Sequence, residues 1–70
     1  MTSAELAARC ARGEAALDTY CRSNGYCRHS RDEALIDLLT DLRHCAFRDW
    51  IDFDRALEHS SFHFEAEVHS

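Results

Sequence analysis

The sequence predicts an all-α domain, a small antiparallel three-helix bundle with short connections. Three observations predict it. Proline is absent and the only glycines are Gly13 and Gly25, so the turn makers of a multi-strand sheet are missing. Apolar residues recur at helical spacing in three separate stretches. Each stretch opens on residues that cap a helix. With 70 residues the chain makes one domain, residues 1–70, and a domain this short buries only about 60% of its unfolded surface. An apolar content of 46% argues against disorder.

The first helix is expected from Ser3 to Arg22. Thr2-Ser3-Ala4-Glu5 has the form of a capping box, in which a hydroxyl and a carboxylate satisfy free amides reciprocally. Leu6, Cys10, Gly13, Leu17, Tyr20 and Cys21 share one face. Gly13 on that face lets another helix approach closely, at a cost in helix propensity. Asn24-Gly25 reads as a left-handed stop, and Tyr26 to His29 as a short link.

The second helix is expected from Arg31 to Phe47, behind a second capping box at Ser30-Arg31-Asp32-Glu33. Leu35, Leu38, Leu39, Leu42 and Ala46 form its apolar stripe, with Cys45 at the margin. Glu33, Asp37, Asp41 and His44 fall opposite, giving an acidic face. Arg48 to Ile51 is a tight connection that contains Trp50. The third helix starts at Asp52, a good N-cap, with Ile51 placed to staple onto Ala56. Phe53, Leu57, Ser60, Phe64 and Val68 form its inner stripe. Asp54, Glu58 and Glu65 face away, with Phe62 among them.

Charge is unevenly placed. All eight basic residues are arginine. Residues 1–31 hold five of them against Glu5, Glu14 and Asp18, a net of +2. Residues 32–70 hold three against ten acids, a net of −7. An acidic half disfavours nucleic-acid phosphates and suits a basic partner; a solvated surface is the bland alternative. The third helix, with Asp52, Asp54, Glu58, Glu65 and Glu67 against Arg55, cannot serve as a DNA-recognition helix. No stretch reaches the roughly 20 apolar residues of a membrane span. Residues 1–10 lack the apolar core of a signal peptide, so the expected location is the cytoplasm.

The four cysteines, Cys10, Cys21, Cys27 and Cys45, read as reduced structural residues, with Cys21 and Cys27 the pair best placed to oxidise. A zinc site is the sharper alternative. His59-x-x-x-His63 has ligand spacing, and Cys21 with Cys27 would complete the set, but five residues between the cysteines exceed the usual two to four. The expectation is therefore no metal and no cofactor. Glu33, Asp37, Asp41 and His44 share a face suited to acid–base chemistry, yet a solvated acidic face reads the same. No phosphate-binding glycine loop and no nucleophile elbow occurs. The chain is expected not to be an enzyme.

Asp37-Leu38-Leu39-Thr40-Asp41-Leu42-Arg43-His44, then Asp52-Phe53-Asp54-Arg55-Ala56-Leu57, then His63-Phe64-Glu65-Ala66-Glu67 form a pattern over about half of the chain. It resembles small proteins of bacterial phages, plasmids and integrated elements. The resemblance implies a mobile-element setting, where small acidic proteins often inhibit host defence. In size and charge the chain is similar to anti-CRISPR proteins. The leading expectation is a non-enzymatic inhibitor whose acidic surface occupies a basic, nucleic-acid-binding face of a host protein or nucleoprotein complex. Glu33, Asp37, Asp41, Asp54, Glu58 and Glu65 would carry that contact. The alternatives are a small zinc-stabilised or helix-pairing accessory domain and an antitoxin-like regulator.

Overall fold

A computed structural model places three helices in the expected order, α1 (Ser3–Asn24), α2 (Arg31–Arg48) and α3 (Phe53–Val68). The structure describes residues 1–25 and 30–69. The expected Tyr26–His29 link, and with it Cys27, lies outside the described residues.

Local chemistry sets the helix ends. The Thr2 side chain accepts from the Glu5 amide at 3.1 Å, Ser30 from Glu33 at 3.5 Å and Asp52 from Arg55 at 3.0 Å. Each bond satisfies an amide that has no partner within its helix, and such a cap stabilises by about 1 kcal/mol. Glu5, Asp32, Glu33 and Asp54 sit in first turns, and Arg22 and Arg48 in last turns, as the helix dipole favours. Gly25 ends α1 in the left-handed region, at φ 75°, and its amide donates to the Cys21 carbonyl.

The architecture is a small all-α three-helix bundle in which α1 packs on α2 and α2 on α3. Three arginine–carboxylate pairs join the helices. Arg31 at the start of α2 meets Asp18 of α1 at 2.9 Å, and Arg43 of α2 meets Asp54 of α3 at 2.8 Å. Arg9 of α1 meets Glu67 of α3 at 2.7 Å. Arg43 also lies 4.6 Å over the Phe53 ring, a cation–π contact between α2 and α3.

The bundle is open. Helices laid side by side give one long dimension, but this molecule measures 36 × 31 × 16 Å. Its radius of gyration is 13.8 Å, against about 11 Å expected for 70 residues. Among the described residues the core consists of Ala34 at 1% exposure and Ala46 at 5%. The apolar stripes therefore border the interior without being sealed in it. Leu38 and Leu39 are half-buried, but Leu42, expected in the core, is 47% exposed. Leu35, Leu57, Phe64 and Val68 are exposed as well. Cys10 is exposed and Cys21 half-buried. Nothing lies within 4 Å of a Cβ built on Gly13, so no helix of this chain makes the close approach expected there. The physical reason is the splay: helical periodicity says which faces are apolar, and the angles between helices decide whether those faces meet.

Candidate functional site

The corner between α2 and α3 departs most from what an isolated chain would favour. Four residues, Asp49 to Asp52, connect the helices. The Asp49 amide donates to Cys45 and the Ile51 amide reaches back to Ala46, at 3.1 and 2.9 Å. That second bond is the long closure of a Schellman turn, which needs a left-handed residue between helix end and exit. Glycine usually fills this position, but here it is Trp50, at φ 62°. A bulky side chain there is a backbone outlier that costs about 1–2 kcal/mol. Ile51, expected as a staple onto Ala56, has its amide tied back to the end of α2 at Ala46.

No packing inside the chain offsets that cost. Trp50 is 96% exposed and Phe47 86% exposed, and Ile51 is exposed beside them. With Ala46, Arg48 and Asp52 these residues line a surface groove of about 470 Å³. Three large apolar side chains held together in water mark an interaction site more often than a packing accident. Polar groups rim the groove. Arg48 binds the Asp49 carboxylate through Nε at 2.8 Å and Nη2 at 3.0 Å. This hydrogen bond holds the Asp49 carboxyl below the usual carboxylate range, and the Cys45 thiol, 3.7 Å from Asp49 Oδ2, acts in the same direction. The same pairing raises Arg48. Asp52 spends one oxygen on the α3 cap, and Asp54 pairs with Arg43.

The six acidic residues expected to contact a partner stand in different settings. Glu33 is exposed at the start of α2, where its amide closes the Ser30 cap. Asp37 is half-buried, and Asp41 accepts from the Tyr20 hydroxyl of α1 at 2.5 Å. That edge of α2 therefore faces α1, and Asp41 has a structural role. Asp54, Glu58 and Glu65 are exposed on α3, with Glu65 3.2 Å from His69 Nε2. Asp54 lies nearest the aromatic corner in sequence.

Among the described residues no three His, Cys, Asp or Glu side chains are placed to hold one ion; Cys27, one of the four ligands of the zinc alternative, lies outside them. His59 instead meets Phe62 edge-on, with ring centroids 6.4 Å apart. Among the described residues no helix is long and apolar enough to cross a membrane. No protein-family model, no curated protein and no solved structure matches the chain.

Sequence reasoning placed Trp50 in a tight connection but missed its conformation. The signal was present. A four-residue link between two helices needs a left-handed residue, and Arg48 to Ile51 offers no glycine or asparagine.

Proposed function

We propose that the protein is a non-enzymatic binding protein that docks on a basic protein surface through its α2–α3 corner. One observation carries this reading: Trp50 holds a strained backbone while 96% of it stands in water. The turn needs a left-handed residue but not an indole, and strain at a tryptophan whose ring no packing rewards points to function. Tryptophan is also among the residues that dominate binding energy when a partner covers them. Trp50, Phe47 and Ile51 form the apolar anchor. Asp52 at the groove, with Glu58 and Glu65 further along α3, forms an acidic rim, while Asp49 and Asp54 are already paired with Arg48 and Arg43. The rim steers a basic surface into place and the anchor holds it.

In the mobile-element setting that the sequence pattern implies, such a partner is a host complex whose basic face holds nucleic acid. A CRISPR effector is the reading carried forward, with the chain acting as its inhibitor.

The chain contains one tryptophan, so the anchor reports on itself. Titrating purified effector complexes into the protein should shift Trp50 emission to the blue and inhibit target binding. Added salt should weaken the complex, because exposed charges are screened over about 10 Å at 0.1 M. Trp50→Ala should remove binding, and Glu58→Arg with Glu65→Arg should slow association. Unchanged emission with every effector type rejects the CRISPR assignment. Full inhibition by Trp50→Ala rejects the corner.

A further inference from the structure

At the α2–α3 corner the aromatic rings are open to approach on their faces. Trp50 is 96% exposed and Phe47 86% exposed, and both line the groove of about 470 Å³. Two charged residues line it with them, Arg48 and Asp52. Arg48 is engaged by Asp49, through Nε at 2.8 Å and Nη2 at 3.0 Å. Asp52 caps α3 with Oδ1, which accepts from the Arg55 amide at 3.0 Å. Its second oxygen has no hydrogen-bond partner among the described residues. The groove therefore offers a carboxylate beside two aromatic rings, and its own cation is already paired.

The next two residues of the chain show what such a set holds. The Arg43 guanidinium lies 4.6 Å over the Phe53 ring, and its Nη2 donates to Asp54 Oδ1 at 2.8 Å. One guanidinium there satisfies a ring and a carboxylate together.

We infer that the corner takes an arginine side chain of its partner in the same way, with the guanidinium stacked on Trp50 and hydrogen-bonded to Asp52. The inference rests on the corner being the docking site and names the group that enters it. Indole gives the strongest cation–π face of the aromatic side chains. A guanidinium is planar, so it stacks on the ring while its edge donates to a carboxylate; an ammonium is a point charge and does not combine the two. An apolar side chain would cover the rings but strip water from Asp52 without replacing it, and an unpaired charge so covered is costly. The net charge of −5 draws an arginine-bearing surface toward the chain.

The probe is a blocked peptide of three arginines spaced by glycine, titrated into the full chain, with matched lysine and norleucine peptides. Amide and ring-proton NMR shifts follow binding in every variant. The arginine peptide should bind more tightly than either control, and its side-chain protons next to the guanidinium should move upfield in the ring current of Trp50. Trp50→Leu keeps an apolar side chain without a π face and should weaken the arginine peptide about fivefold. Asp52→Asn keeps the cap and removes the charge, and should weaken it about threefold. Helical circular dichroism of both variants checks the fold. Norleucine binding as tightly as arginine overturns the cation, and lysine binding as tightly overturns the guanidinium. Arginine binding that ignores both substitutions lies elsewhere on the acidic surface and overturns the site. An arginine peptide that fails to bind up to about 10 mM, while an effector complex still shifts Trp50 emission, overturns this inference and leaves the corner standing.

Discussion

Replacing Trp50 by glycine should make the protein more stable. The left-handed backbone at φ 62° costs a residue with a Cβ about 1–2 kcal/mol, and glycine does not incur it. The indole gives little in return. At 96% exposure its burial is worth about 0.3 kcal/mol at roughly 25 cal/mol per Å². The added freedom of glycine in the unfolded chain takes back about 0.5–1 kcal/mol. The balance is a gain of about 0.5 kcal/mol at the middle of these ranges, or a rise in Tm of about 2–4 °C for a domain of this size. Urea and thermal melts followed by circular dichroism, at one fixed protein concentration, measure it. Trp50→Ala is the control: it keeps the strained Cβ and loses only the exposed ring, so its Tm should barely move. Gly25→Ala is the mirror experiment, since Gly25 holds φ 75° at the end of α1, and it should lower stability by about 1 kcal/mol. A Trp50→Gly protein that melts at or below wild type would refute the strain argument and remove the main support for the corner as a docking site.

Other perturbations read other parts of the fold. Arg43→Ala removes both the Asp54 pair and the contact over Phe53; the pair is exposed and Phe53 half-buried, so urea denaturation should show a loss of only about 1 kcal/mol. Asp49 should titrate below the ordinary carboxylate range in an NMR pH series, and Arg48→Gln should bring it back up. Because folding lowers this pKa, the Arg48–Asp49 contribution is complete above the unfolded value near about 3.9 and is lost as pH falls through the lowered one. Ala34→Leu should cost about 1–3 kcal/mol by overfilling the most buried position among the described residues. Leu42→Ala, at a half-exposed position, should cost about 1–2 kcal/mol, less than the roughly 2–5 of a sealed leucine.

The parts legible in the sequence are those governed by neighbours within a turn. Thr2, Ser30 and Asp52 cap helices because their side chains reach amides three residues on. Gly25 stops α1 because no Cβ obstructs its backbone. All three helix starts follow from these signals; α1 runs two residues and α2 one residue past the expected end. What depends on angles between helices was not legible. Asp41 sits on the polar side of α2, yet the crossing of α1 delivers the Tyr20 hydroxyl to it. Leu42 sits on the apolar side, yet the splay leaves it in water. The charge reading named Asp54, Glu58 and Glu65, which are exposed on α3. It could not find Phe47 and Trp50 as a pair, because nothing in a charge pattern marks an aromatic corner.

The two-alanine core has a thermodynamic consequence. A fully packed chain of 70 residues unfolds with a heat-capacity change of about 0.8–1 kcal/mol/K, most of it from newly wetted apolar surface. Here the leucine and phenylalanine stripes are partly wet before unfolding begins, so the increment for one chain is smaller and its stability curve flatter. Temperature then has little grip on the isolated chain. What closes over those stripes has a great deal, since each surface covered on binding adds back the missing increment and steepens the curve. The calorimetric signature of this protein is therefore set largely by its occupancy.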